Sequence, residues 1–241
     1  YFYPGAENAA LNNISFETKP GETTAIIGGT GSGKSTILNL LSRFYDTSDG
    51  EILVDGINIK DMSQETLRSK IGFVPQKAVL FSGTIAENLR YGKEDATMDE
   101  LIHASKIAQS YDFILEKENG FDSVVEQGGK NFSGGQKQRL SIARALVRKP
   151  EIYVFDDSFS ALDFKTDAKL RAALKNETKE SAVIIVAQRV STIMDADRIL
   201  VLEDGNIVGM GTHKELLQNC AIYQEIASSQ LSEEELANEH R

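Results

Sequence analysis

The chain has 241 residues, 41% of them hydrophobic, a formal net charge of −10 and a single cysteine, Cys220. That length suits one domain of two lobes with a sizeable core, and no run approaches the ~20 apolar residues of a membrane helix. The acidic balance argues against a nucleic-acid surface, and one cysteine excludes an internal disulfide or a multi-cysteine zinc site and suits a reducing cytosol. The N-terminal Tyr-Phe-Tyr-Pro lacks the basic flank and apolar core of a signal peptide, so the chain as given is expected to be soluble.

The first predicted element is a β-branched strand at residues 23–28 that ends in glycine. Gly28-Gly29-Thr30-Gly31-Ser32-Gly33-Lys34-Ser35-Thr36 follows, and the periodicity of Ile37, Leu38, Leu40 and Leu41 predicts a helix after it. Strand, glycine loop and helix are the context of a Walker A phosphate loop. Glycines let the loop backbone wrap an anion closely, where a Cβ would hold its N–H groups away. Lys34 is placed to neutralise β and γ phosphates, Ser35 to ligate Mg²⁺, and the helix N-terminus adds its dipole. ATP and Mg²⁺ are the expected ligands.

Further strands are predicted at 51–54, 71–74, 152–155, 182–186, 198–202 and 206–209, which gives an α/β fold with a mixed sheet flanked by helices. Asp204-Gly205 is a hairpin turn signal between the last two. Residues 77–148 read differently, as helices at about 84–90, 98–107, 109–116 and 134–147 without a strand. They are assigned to a helical lobe inserted into a core of 1–76 and 149–230. The acidic end, 231–241, with four Glu against one Arg, reads as a solvated tail.

Inside the helical lobe, Asn131-Phe132-Ser133-Gly134-Gly135-Gln136 opens a helix whose stripe of Leu140, Ile142, Ala143, Ala145, Leu146 and Val147 stops at Pro150. Alone, Ser-Gly-Gly is more often an ordinary cap than an anion cradle. Its spacing to the strand Ile152–Phe155 favours the cradle, because that strand ends in Asp156, where a carboxylate can reach Mg²⁺ through water.

With these residues the chain resembles the ATP-binding cassette family over essentially its whole length. The resemblance implies a P-loop NTPase core with Walker A at 28–36 and Walker B ending at Asp156. It makes Gln76, in Val74-Pro75-Gln76, the Q-loop glutamine near metal and water, and Phe132-Ser133-Gly134-Gly135-Gln136 the signature, with Phe for the usual Leu. Ser160-Ala161-Leu162-Asp163 resembles the D-loop, and Tyr3 the aromatic that stacks on adenine, with a core-facing strand aromatic as the alternative. The segment from Phe81 to Gly92 is similar to the exporter branch, in which membrane helices precede the cassette. Glu126-Gln127-Gly128-Gly129 sits near a segment that touches the membrane domain there, one residue off the common spacing. Since Tyr3 falls two residues from the start, a longer polypeptide with an upstream membrane domain is expected, at the cytoplasmic face of the cell membrane.

Two positions depart from the family pattern. Asp157 stands where the family has the glutamate that acts on the attacking water, and Gln188 where it has a histidine that contacts the γ-phosphate. The shorter carboxylate is withdrawn by about one C–C bond, roughly 1.5 Å, and a misplacement of ~1 Å can cost on the order of a hundredfold in rate. Glutamine can hydrogen-bond a phosphate but neither carries charge nor relays a proton near neutral pH. In the family two cassettes pair head to tail, each signature completing the other's site. The intact Ser133–Gln136 beside a weakened own site resembles the degenerate subunit of a heterodimeric exporter, with a different cassette and a transmembrane domain as partners. A homodimeric exporter with two slow sites and a regulatory module without useful turnover are the alternatives. A chromosome-maintenance or ribosome-associated ATPase is disfavoured, since neither long heptads nor a second cassette is present.

Overall fold

The computed structural model describes residues 1–232, so the acidic tail reading lies almost wholly outside the described residues. In chain order the chain forms β1 (Thr23–Gly28), α1 (Lys34–Leu41), the short strands β2 (Leu53–Val54) and β3 (Ile57–Asn58), α2 (Gln64–Lys70) and β4 (Ile71–Val74). Next come β5 (Gly83–Thr84), α3 (Ile85–Arg90), α4 (Met98–Ile107), α5 (Tyr111–Leu115), β6 (Val124–Val125) and α6 (Gly134–Arg148). The remainder is β7 (Ile152–Asp156), α7 (Phe164–Glu177), β8 (Ala182–Val186), α8 (Val190–Ile193), β9 (Arg198–Glu203), β10 (Asn206–Gly211), α9 (His213–Asn219) and α10 (Ala221–Gln230).

Six strands form one sheet in the order β10-β9-β1-β8-β7-β4, parallel except for β10, which pairs antiparallel with β9. The sheet is mixed, as the alternating sequence signals predict, and both its faces are covered. Alternation along each strand divides the core in two. Ile26, Val154, Ile184 and Leu200 join Ile37, Leu38 and Leu67 on one face, while Ala25, Ile27, Phe155, Ile185 and Val201 face the other. Asp204 and Gly205 both adopt positive φ, 46° and 76°, the backbone that a tight β9–β10 hairpin requires.

Two strand readings need correction. Residues 51–54 contribute only Leu53–Val54, paired with β3 in a ribbon outside the main sheet, whose Leu53 and Ile57 stay exposed because nothing packs on them. The helical segment does contain strand, since Gly83–Thr84 pairs with Val124–Val125; two-residue runs carry too little alternation to be legible.

Helices α3, α4 and α6 pack through Leu89, Leu101 and Leu140, each fully buried and each contributing about 1.5–3 kcal/mol. Capping boxes at Thr84, Thr97, Ser133 and Thr212 start four of the helices by satisfying otherwise unpaired backbone N–H groups. Helix α6 stops at Lys149, whose φ is 50°, and Pro150 then packs on Gly72 of β4, where a Cβ would lie 2.6 Å from the proline ring. The contiguous strands β1, β8, β7 and β4 thus present their C-terminal ends side by side, the usual place for a ligand crevice in an open α/β sheet.

Candidate nucleotide site

Each of those four strand ends delivers one segment. β1 leads into the glycine loop. Gly28 has no room for a side chain, since a Cβ would overlap the Leu202 carbonyl and lie 2.7 Å from Ser32 Oγ. Gly33, at φ 108°, caps α1 without any side-chain bond, so the first-turn N–H groups of α1 remain available to an anion. The hairpin supports the loop from behind, Gly205 N–H donating to Ser32 O at 3.0 Å. Lys34 Nζ donates to Gly28 O at 2.6 Å and Gly29 O at 2.7 Å, which folds the ammonium over the loop. Burial lowers its pKa, opposed by the charges of Asp157 and Asp156.

β7 ends in the two carboxylates. Burial raises the pKa of Asp156, with Asp157 adding to the rise and Lys34 opposing it. Asp157 is only 7% exposed and sits in the left-handed region at φ 46°. Its N–H donates to Val186 O at 2.8 Å, and Gln76 Nε2, from the end of β4, donates to its Oδ2 at 3.0 Å. Burial is again the largest influence and raises its pKa. The Gln76 amide, the Gln188 backbone N–H, Arg189 and Lys34 oppose it. The Gln76 side chain therefore serves Asp157 directly, a contact the sequence reading did not foresee.

Beyond β8, Gln188 is exposed, and its segment is held from two sides. The Gln230 side chain of α10 donates to Gln188 O and accepts from Val190 N–H, each at 2.8 Å. Arg189 reaches the other way, to Ser160 O and Leu162 O. Ser158 Oγ donates to Val74 O at 2.8 Å, and Gln138 Nε2 of α6 donates to Pro75 O at 3.0 Å, tying the segment after β7 and helix α6 to the segment after β4. Arg189, Gln138, Ser158 and Gln230 escaped the sequence reading because their partners lie far along the chain.

Tyr3 stands beside the loop, its hydroxyl 2.9 Å from Thr36 Oγ1 and its ring edge-on to Tyr1 at 5.1 Å and Tyr45 at 5.5 Å. It belongs to neither buried cluster. Ser133 and Gly134, expected from the sequence to belong to the signature, are exposed at the start of α6, where Ser133 Oγ accepts from Gln136 N–H at 3.2 Å. Phe132 is buried against Phe113, and Gly135 faces the Ala161 carbonyl of the D-loop, which a Cβ would approach to 3.1 Å. Among the described residues no hydrogen bond joins 132–136 to 28–36. Asp163 caps α7, accepting from Thr166 N–H at 2.9 Å.

These features match a known pattern of sequence. The profile of the ABC transporter family covers residues 11–160. The chain belongs to the ABC transporter family. In sequence and fold it matches the nucleotide-binding domain of that family. It is 50% identical to an ABC transporter ATP-binding protein, YfiB, of Bacillus subtilis, over 96% of this chain and 40% of that protein. It is 45% identical to an ATP-dependent lipid A-core flippase of Haemophilus influenzae, over 96% of this chain and 40% of the flippase. The structure of a bacterial Atm1-family ABC exporter with ATP bound superposes with a TM-score of 0.92 at 41% identity, covering 96% of this chain and 41% of the exporter. The chain thus spans about two fifths of each of these relatives, and among the described residues no helix is long and apolar enough to cross a membrane.

Proposed function

We propose that this domain binds Mg·ATP and powers a membrane exporter by head-to-tail pairing with a second cassette, its own site being the slow one of the pair. Residues 28–36 hold the phosphates, Lys34 supplies charge, and Tyr3 lies against the base. The donor set fits the ion: Ser35 and Asp156 are the one hydroxyl and one carboxylate that Mg²⁺ takes from protein when phosphates and water fill the rest. Among the described residues no cluster of three or more His, Cys, Asp or Glu competes with them. Mg²⁺, when bound, would neutralise phosphate charge; positioning of the water falls to this chain's own groups.

The observation that carries the slow-site reading is the state of Asp157. Its carboxylate is buried, shorter than glutamate's and held by the Gln76 amide and the Gln188 N–H, and beyond the neighbouring strand stands an uncharged, exposed Gln188. The exposure of Ser133 and Gly134 at the start of α6 supports service to a partner's nucleotide. Segment 77–148 then acts as the lobe that presents them. On the same segment the exposed Phe81 and Tyr91 rings, 4.7 Å apart, offer apolar surface to a transmembrane domain at the cytoplasmic face of the membrane.

One observation favours a symmetric exporter with two slow sites: a carboxylate is retained at the end of β7, where the Gln76 amide holds Asp157. ATP turnover of the full-length chain, assembled alone and then with a candidate second subunit bearing Glu and His at these positions, separates the two. The heterodimer reading expects turnover only in the mixed assembly; equal turnover alone overturns it.

A further inference from the structure

Asp157 and Gln188 come from different strands, and a residue belonging to neither motif links them. Arg189 leaves the end of β8 and places Nη2 2.8 Å from Ser160 O and Nη1 3.1 Å from Leu162 O. Its guanidinium lies 5.1 Å from the centre of the Phe164 ring, which covers one of its faces although Phe164 is itself 70% exposed. Two carbonyls of one four-residue loop are gripped by one planar fork, a geometry lysine does not reproduce.

The gripped loop is the one that leaves Asp157. Ser160 Oγ returns to Asp157 O at 3.0 Å, Asp157 N–H is fixed on Val186 O, and Ser158 Oγ is fixed on Val74 O. A left-handed backbone at a non-glycine residue persists only where its surroundings determine it, and Arg189 holds the Ser160 and Leu162 carbonyls of the segment that follows Asp157. We propose that Arg189 is a positioning residue, holding residues 160–163 against the segment after β8 and thereby fixing the Asp157 carboxylate where it can act on water. The inference rests on the reading of Asp157 given above.

The test uses the full-length chain in an assembled pair whose second cassette lacks its catalytic carboxylate, comparing Arg189→Ala, Arg189→Lys and Phe164→Ala. Nucleotide affinity, single-turnover rate and amide exchange over residues 158–164 are measured. Arg189→Ala should slow turnover at least about tenfold, leave nucleotide affinity within about twofold, and speed exchange across the loop. Arg189→Lys keeps the charge and bulk without the fork, and should recover little of the rate. Should Arg189→Ala not fold, Arg189→Lys and the milder Phe164→Ala, which should also loosen the loop, still decide. A rate in Arg189→Lys equal to the wild type, or loss of affinity in proportion to rate, overturns the proposal. Lys34→Ala run alongside separates the two levels, because affinity unchanged in that variant overturns the nucleotide site itself and not only the role of Arg189.

Discussion

Asp157→Glu should raise hydrolysis at this site and lower stability at the same time. The added methylene advances the carboxylate by about 1.5 Å, and recovering a misplacement of that order is worth about a hundredfold, or about 2.7 kcal/mol of barrier. The same residue sits at φ 46°, a conformation aspartate tolerates and longer side chains resist, so the substitution should cost about 1 kcal/mol in the folded state. In a domain of this size that corresponds to a fall of about 2–4 °C in Tm. The backbone strain is shared by ground and transition states and leaves the rate gain untouched. Gln188→His adds a titratable contact to the same phosphate and should raise the rate further, the double variant exceeding either single one. Single-turnover hydrolysis in an assembled pair with the other site disabled, together with thermal unfolding, reads both effects. A wild-type rate equal to that of the double variant would refute the slow-site reasoning.

Lys34→Ala removes the ammonium held over the loop and should weaken ATP binding by at least ~1.5 kcal/mol, read by calorimetry. Ser133→Arg should depress turnover of the assembled pair while leaving this chain's own ATP affinity intact, and losing the cap on α6 should cost about 1 kcal/mol of stability. The Glu100 carboxyl is lowered from 4.5 to about 2, chiefly by its hydrogen bond with Lys93 and by the Thr97 N–H it caps. A depressed carboxylate stabilises the fold above its unfolded value and loses that contribution as pH falls through its folded one. Glu100→Gln should therefore narrow its stability deficit against the wild type between about pH 4.5 and pH 2, as followed by urea midpoints.

The parallel core was legible because its strands are apolar on both faces, and the Asp204-Gly205 hairpin because its turn chemistry is local. The glycine loop between β1 and α1 was legible for the same reason, its residues being contiguous. What the sequence concealed is relational. Gln76 and Asp157 are neighbours only because β4 and β7 pair, and Arg189 meets the D-loop only because β8 lies beside β7. The two-residue strands at 83–84 and 124–125 fall below the length at which alternation carries a signal.

Because β4 and β7 are parallel neighbours, the chain leaves the sheet at the crevice end, after Val74, and must re-enter at the opposite end, at Ile152. Helix α6 makes the return journey, and at 1.5 Å per residue its fifteen residues form a rod of about 22 Å. One end is clamped where Lys149 turns left-handed and Pro150 seats on Gly72; the other carries Ser133 into solvent. Taken as a rigid rod, α6 is a lever pivoting at its Lys149 end. A tilt of about 10° at the fulcrum sweeps the signature through about 4 Å, from the rod length above, which exceeds the span of any hydrogen bond. In the proposed pair, the tilt of α6 at Lys149 and the Gln138–Pro75 tether about a turn and a half from the tip would set where Ser133 meets the second cassette.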